Sequence, residues 1–147
     1  MNYMLETPIK GTIGNQKYKT AIQWRNGVLT TDEPEKLGGK DLGPDPYTLL
    51  LSSLVACTLA TLKMYIDHKG LAISEIEIEA NLFYKIENQE IVTHIERKIE
   101  FREQLDPEVQ QRLMRVAEKC PISKILKGNI NISTEFNNIS TANDTNI

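Results

Sequence analysis

The sequence predicts an α+β fold. Strand-like alternation precedes Asp32, an almost continuously apolar segment runs from Gly43 to Gly70, and two strands with charged outer faces lead into a proline-broken helix. At 147 residues the chain fits one domain, long enough to bury about two-thirds of the surface that its unfolded form exposes. It therefore needs no disulfide or metal staple. The expected domain covers residues 1–136, and residues 137–147, "NNISTANDTNI", are expected to fray because they have little to bury.

The elements follow in order. "KYKTAIQWR" and "VLTT" flank Asn26-Gly27, a dipeptide that tolerates the positive φ angles of a tight hairpin. A polar loop, "DEPEKLGGKDLG", leads to Asp45-Pro46, where aspartate can cap free N–H groups and proline suits the first helical position. The helix that starts there is apolar at 49, 50, 51, 54, 55, 59, 62 and 66, more than one stripe, and should be contacted from several sides. Gly70 is its expected C-cap.

Two strands come next. "SEIEIEANLFYKI" places Ile76, Ile78, Ala80 and Leu82 on one face, and "EIVTHIERKIEFR" does the same with Ile91, Ile95, Ile99 and Phe101. Asp106-Pro107 opens a helix whose apolar face holds Val109, Leu113, Val116, Ala117 and Cys120. Pro121 disfavours helical geometry at Cys120, so the helix should break and a short one, "PISKILKG", begin with Cys120 near its N-cap. A final strand, "NINISTEF", is expected to close the domain.

Composition narrows the function. With hydrophobic content of 40%, charged content of 25% and a net charge of −3, the chain lacks the basic surface that nucleic-acid phosphates demand. "MNYMLETPIKGTIG" has no basic region followed by an apolar core, so no secretory signal and a cytoplasmic location are expected. The run from Leu49 to Leu62, interrupted by Ser52, Ser53, Thr58 and Thr61, reads as a core helix rather than a membrane span.

Attention then falls on Cys57 and Cys120, which can meet inside one core. Small buried hydrophobes are what free cysteines most often are. A reactive pair needs an activated thiolate. Cys120 faces the positive end of the following helix, with Lys119 and Lys124 nearby, whereas the helix neighbours of Cys57 are uncharged and its cation must come from Arg25, Arg97 or Lys63. His68 lies too far along the helix from Cys57 to pair with it, and His94 reads as a surface residue. No C-x-x-C or H-x-x-x-H spacing is present, so no metal and no cofactor are expected.

Taken together, "DEP", "GG", "GPDPYTLLLSSLVACTLATLKMYIDHKG", the charged strand pair and "LDPEVQQRLMRVAEKCPISKILKGNINISTEF" resemble the OsmC/Ohr family of osmotically inducible and organic-hydroperoxide-resistance proteins, in its OsmC-like branch. The resemblance implies an intertwined α+β homodimer with sites at the subunit interface. It implies a peroxidase that reduces a small apolar hydroperoxide: Cys57 becomes a sulfenic acid, Cys120 resolves it to a disulfide, and a dithiol reductant restores both. The family's peroxide reductases hold an arginine against the thiolate with a glutamate ten residues before the helix cysteine. Here that position is Tyr47, followed by Thr48, and the loop from Asp32 to Gly43 contains no arginine. Arg25 is the nearest stand-in along the chain. Two alternatives use the same residues: a non-catalytic dimer that binds an apolar ligand in the interfacial cavity, and a redox sensor.

Overall fold

In the computed structural model, which describes residues 1–137, the chain forms two antiparallel sheets and three α-helices. Strands β1 (Lys10–Ile13), β2 (Thr20–Trp24) and β3 (Gly27–Thr31) make a meander in the order β1-β2-β3. β1 was not expected from the sequence: all four of its residues are exposed, so no alternation marks it. Trp24 pairs with Gly27, which makes Arg25 and Asn26 the two loop residues. That is one position earlier than the sequence suggests, and neither Asn26 nor Gly27 takes a positive φ.

The loop after β3 is organised by a buried carboxylate. Asp32, 3% exposed, accepts backbone N–H bonds from Glu33 at 2.8 Å, Lys40 at 3.2 Å and Leu42 at 3.3 Å. Burial would push this carboxyl up, but the three N–H donors and the charge of Lys40 outweigh it and hold the group below its ordinary value. The loop is drawn in so tightly that a Cβ at Gly39 would stand 1.8 Å from the Glu33 carbonyl oxygen, and one at Gly43 would stand 2.2 Å from that of Thr30.

Helix α1 (Pro46–Lys69) begins and ends as its caps dictate. The Asp45 carboxylate accepts the Thr48 N–H at 2.7 Å, and Gly70 closes the last turn at φ 65°. With 24 residues and a mean hydropathy of 1.7 in its most apolar window, α1 is long and apolar enough to cross a membrane by length and composition. The apolar run alone, Leu49 to Leu62, had suggested otherwise. Its contacts with β4, α2 and α3 are those of a central helix in an α+β domain.

Strands β4 (Ile76–Glu87) and β5 (Glu90–Phe101) pair along their full length, with Ile76 opposite Phe101, Ile78 opposite Ile99 and Leu82 opposite Ile95 on the inner face. Asn88 and Gln89 form the turn with φ of 50° and 67°, the mirror-image geometry that matches strand twist. No glycine signals it. The inner face covers a core of Leu62, Ile66, Ile73, Leu113 and Ala117, where α1 meets α2 (Pro107–Glu118). Leu113 and Ala117 are each 1% exposed, which bears out the predicted inner face of α2. Asp106 precedes α2 without a side-chain cap bond.

The chain breaks at Cys120, and α3 (Pro121–Lys127) follows. The strand expected over 129–136 does not form. Ile132 is 87% exposed and Phe136 96%, so the alternating segment lies against no strand among the described residues, and an unpaired strand has no ladder to hold it. Of the predicted tail, residues 138–147 fall outside the described residues.

Candidate active site

Both cysteines are free, Cys57 half-buried and Cys120 fully buried. Cys57 sits midway along α1, and its carbonyl accepts the Thr61 hydroxyl at 2.8 Å. Its helix neighbour Thr58 is fully buried, and its hydroxyl reaches Cys120 at the start of α3. Pro121 ends α2 and leaves Cys120 extended at φ −60°, ψ 140°, as the N-cap of α3. In that position its Sγ accepts the Ser123 N–H at 3.3 Å, a sulfur doing the work that serine or aspartate oxygen does at other helix starts.

Thr58 joins the two halves of the site. Its Oγ1 lies 3.5 Å from Cys120 Sγ, 2.7 Å from the Leu54 carbonyl oxygen, to which it donates, and 2.8 Å from Arg97 Nη1, from which it accepts. Arg97 comes from the inner face of β5, opposite Ala80. Its other contacts are the Ala117 carbonyl oxygen at 3.4 Å and Glu118 Oε1 at 3.2 Å. Lys127 bonds to the second oxygen of Glu118. Lys127 above all, then Arg97, hold the Glu118 carboxyl below its ordinary value against a smaller opposing effect of burial.

Burial is the largest influence on Cys120 and would push the thiol up. The bonds with Thr58, the Ser123 N–H and Cys57, with the charge of Arg97, together outweigh it and leave the thiol below its ordinary value. The cation that acts on Cys120 is therefore Arg97, from the inner face of β5, rather than Lys119 or Lys124, the sequence neighbours expected to help. Next to this network lies a cleft of about 180 Å³ lined by Leu54, Ile95, Leu126, Arg97 and Ser123.

The other candidates fall elsewhere. Arg25 occupies the exposed β2–β3 turn and joins no ion pair among the described residues. Lys63 pairs with Asp67 at 2.6 Å on the surface of α1. Tyr47, in the first turn of α1, brings its hydroxyl to 3.2 Å from that of Tyr84 on β4. Burial, Glu33, Asp45 and above all that tyrosine pair raise its phenol. His94, expected as a solvated surface residue, is only partly exposed: it stacks on Phe83 and meets Glu87 Oε1 at 3.0 Å. Sequence reasoning missed Thr58 and Ser123 and left Arg97 as one of three options. The available signal was that Arg97 occupies an inward position of β5, between Ile95 and Ile99.

The profile of the OsmC family, OsmC-like protein, matches residues 38–135. No curated protein sequence matches the chain. Among solved structures, a protein of Psychrobacter arcticus 273-4 named for osmotic stress induction and detoxification is 23% identical over 85% of this chain and 91% of its own, with a TM-score of 0.68. An organic hydroperoxide resistance protein of Legionella pneumophila is 15% identical over 87% and 93%, with a TM-score of 0.65. The organic hydroperoxide resistance protein of Bacillus subtilis is 23% identical over 84% and 93%, with a TM-score of 0.59. At these identities the likeness is one of fold.

Proposed function

The chain belongs to the OsmC family, and from that premise we propose that it is a cysteine-based peroxidase that reduces small apolar organic hydroperoxides as a homodimer. The observation that supports the reading is a half-buried thiol, Cys57, within hydrogen-bond reach of a fully buried one, Cys120, which also contacts the Thr58 hydroxyl and the Ser123 N–H. A hydroperoxide reaches the more open sulfur, and the buried thiol waits behind it.

The Cys57 thiolate attacks the terminal peroxide oxygen. The S–O bond forms as the O–O bond breaks, and the alkoxide leaves with a proton as the alcohol. The Cys120 thiolate then attacks the sulfenic sulfur, the S–S bond forms, and hydroxide departs as water. Two electrons have passed from the thiols to the peroxide. A dithiol reductant returns them by exchange. Apolar walls suit an alkyl chain, and a water-poor site preserves the sulfenic acid until the second thiol arrives.

A second reading has one specific observation behind it. Tyr47 meets Tyr84 where the family's reductases carry an acid for an arginine, which suits a dimer that binds an apolar ligand without turnover. Stopped-flow mixing with cumene hydroperoxide, followed by mass spectrometry of the thiols, separates the two. The peroxidase reading expects one cumyl alcohol per Cys57–Cys120 disulfide. Thiols left reduced after the peroxide is added would overturn it.

A further inference from the structure

Arg97 and Thr58 use none of the groups by which the family's reductases are described, and they address the buried sulfur instead of the open one. Arg97 Nη1 donates to Thr58 Oγ1 at 2.8 Å, and Thr58 Oγ1 stands 3.5 Å from Cys120 Sγ. The Arg97 side chain is only 11% exposed, and its guanidinium is paired at Nη2 with Glu118, itself tied to Lys127. A hydroxyl that accepts from a guanidinium gives up its own proton more strongly to a neighbouring anion. With Cys120 as a thiol, Thr58 donates to the Leu54 carbonyl and accepts from sulfur. With Cys120 as a thiolate, the same hydroxyl turns its proton to sulfur, which then has two donors, Thr58 and the Ser123 N–H.

We propose that Arg97 and Thr58 are positioning residues that hold Cys120 as a stabilised thiolate at both ends of the redox cycle, as attacker of the Cys57 sulfenic acid and as leaving group when the disulfide is reduced. The proposal rests on the peroxidase reading for its first half and stands without it for the second. On reduction an external thiolate attacks the half-buried Cys57 sulfur, a new S–S bond forms between reductant and Cys57, and the electron pair of the old bond departs on Cys120. A better stabilised leaving thiolate departs faster. The second thiol of the reductant then attacks the mixed disulfide and frees Cys57. The charged and titratable groups that act on Cys120 are Cys57 on α1 and Arg97 on β5; Glu118 on α2 and Lys127 on α3 lie behind Arg97, joined to it through Glu118. Glu118 is shared between Arg97 and Lys127, so the cluster as a whole carries one net positive charge, and Arg97 is the cation that bonds to Thr58.

The test uses a disulfide made with diamide, which needs no peroxide, and follows its reduction by dithiothreitol in stopped flow from pH 5.5 to 9. Thr58→Val and Arg97→Met should each slow reduction about ten-fold, the scale of one charge-assisted hydrogen bond. Each should also move the pH profile of disulfide formation from the Cys57 sulfenic acid upward. Thr58→Ser, which keeps the hydroxyl, should behave as the parent. Should Thr58→Val fail to fold, Arg97→Met carries the same readout. Unchanged reduction in both, or equal slowing in Thr58→Val and Thr58→Ser, would overturn the proposal. Loss of peroxide consumption in the parent, with dithiothreitol reduction still dependent on Thr58, would sink the peroxidase reading alone.

Discussion

Introducing a charge at Ala60 should separate the proposed dimer. On α1 the residues left uncovered by the chain's own elements recur at helical spacing: Leu50, Ser53, Ala56, Ala60 and Met64. Their small centre permits another helix to approach closely, and Cys57 lies at the edge of the same face. Leu50 is 40% exposed and Met64 72%. Full burial of such a side chain is favourable by about 1.5–3 kcal/mol, so covering what remains exposed recovers about 1 and 2 kcal/mol respectively, or about 6 kcal/mol over two copies. In Ala60→Glu a carboxylate would have to be desolvated at the centre of that surface, which costs several kcal/mol per ion. Every 1.4 kcal/mol is about ten-fold in Kd, so each of the two ions in the dimer should weaken association by roughly two to three decades. Sedimentation velocity across micromolar concentrations should show a parent dimer and a variant monomer. A variant that dimerises with the parent's Kd would refute the assignment of this face, and a well-folded parent monomer would refute the dimer.

Further outcomes follow from the same structure. Cys57→Ser should abolish peroxide consumption, while Cys120→Ser should permit one turnover and leave Cys57 oxidised or mixed with added thiol; intact-mass spectra check this, and equal loss without oxidised Cys57 would contradict the roles. Leu113→Ala removes a side chain that is 1% exposed between α1 and α2, and should cost about 2–5 kcal/mol in urea unfolding. A cost below about 1 kcal/mol would mean the site collapses on the cavity. Asp32 is held below its ordinary value in the fold, so it stabilises the protein at neutral pH, and that contribution fades as pH falls from about 4 through the folded value. The stability gap between the parent and Asp32→Asn should therefore be constant above about pH 5 and narrow in acid. A gap that ignores pH between 7 and 3 would place the stabilisation elsewhere.

Local chemistry alone decided the ends of α1, because Asp45, Pro46 and Gly70 act within one turn of where they stand. It likewise decided the break at Cys120, where Pro121 disfavours helical geometry in the residue before it, and the inner faces of β4 and β5, where alternation has a period of two, except that Ile91, at the turn end and paired with Ile86, is 75% exposed. The OsmC family was legible for the same reason: its marks lie in contiguous stretches around Cys57 and Cys120. What the tertiary structure decided is of another kind. Thr58 meets Cys120 across 62 positions, and Arg97 meets Thr58 across 39. No local spacing encodes a contact that exists only once β5 and α2 have packed on α1. β1 was hidden because an exposed edge strand needs a partner's backbone more than a pattern of its own. The segment 129–136 has the pattern without a partner among the described residues: alternation marks which face a strand would bury, and only a neighbouring strand supplies the hydrogen bonds that make it one.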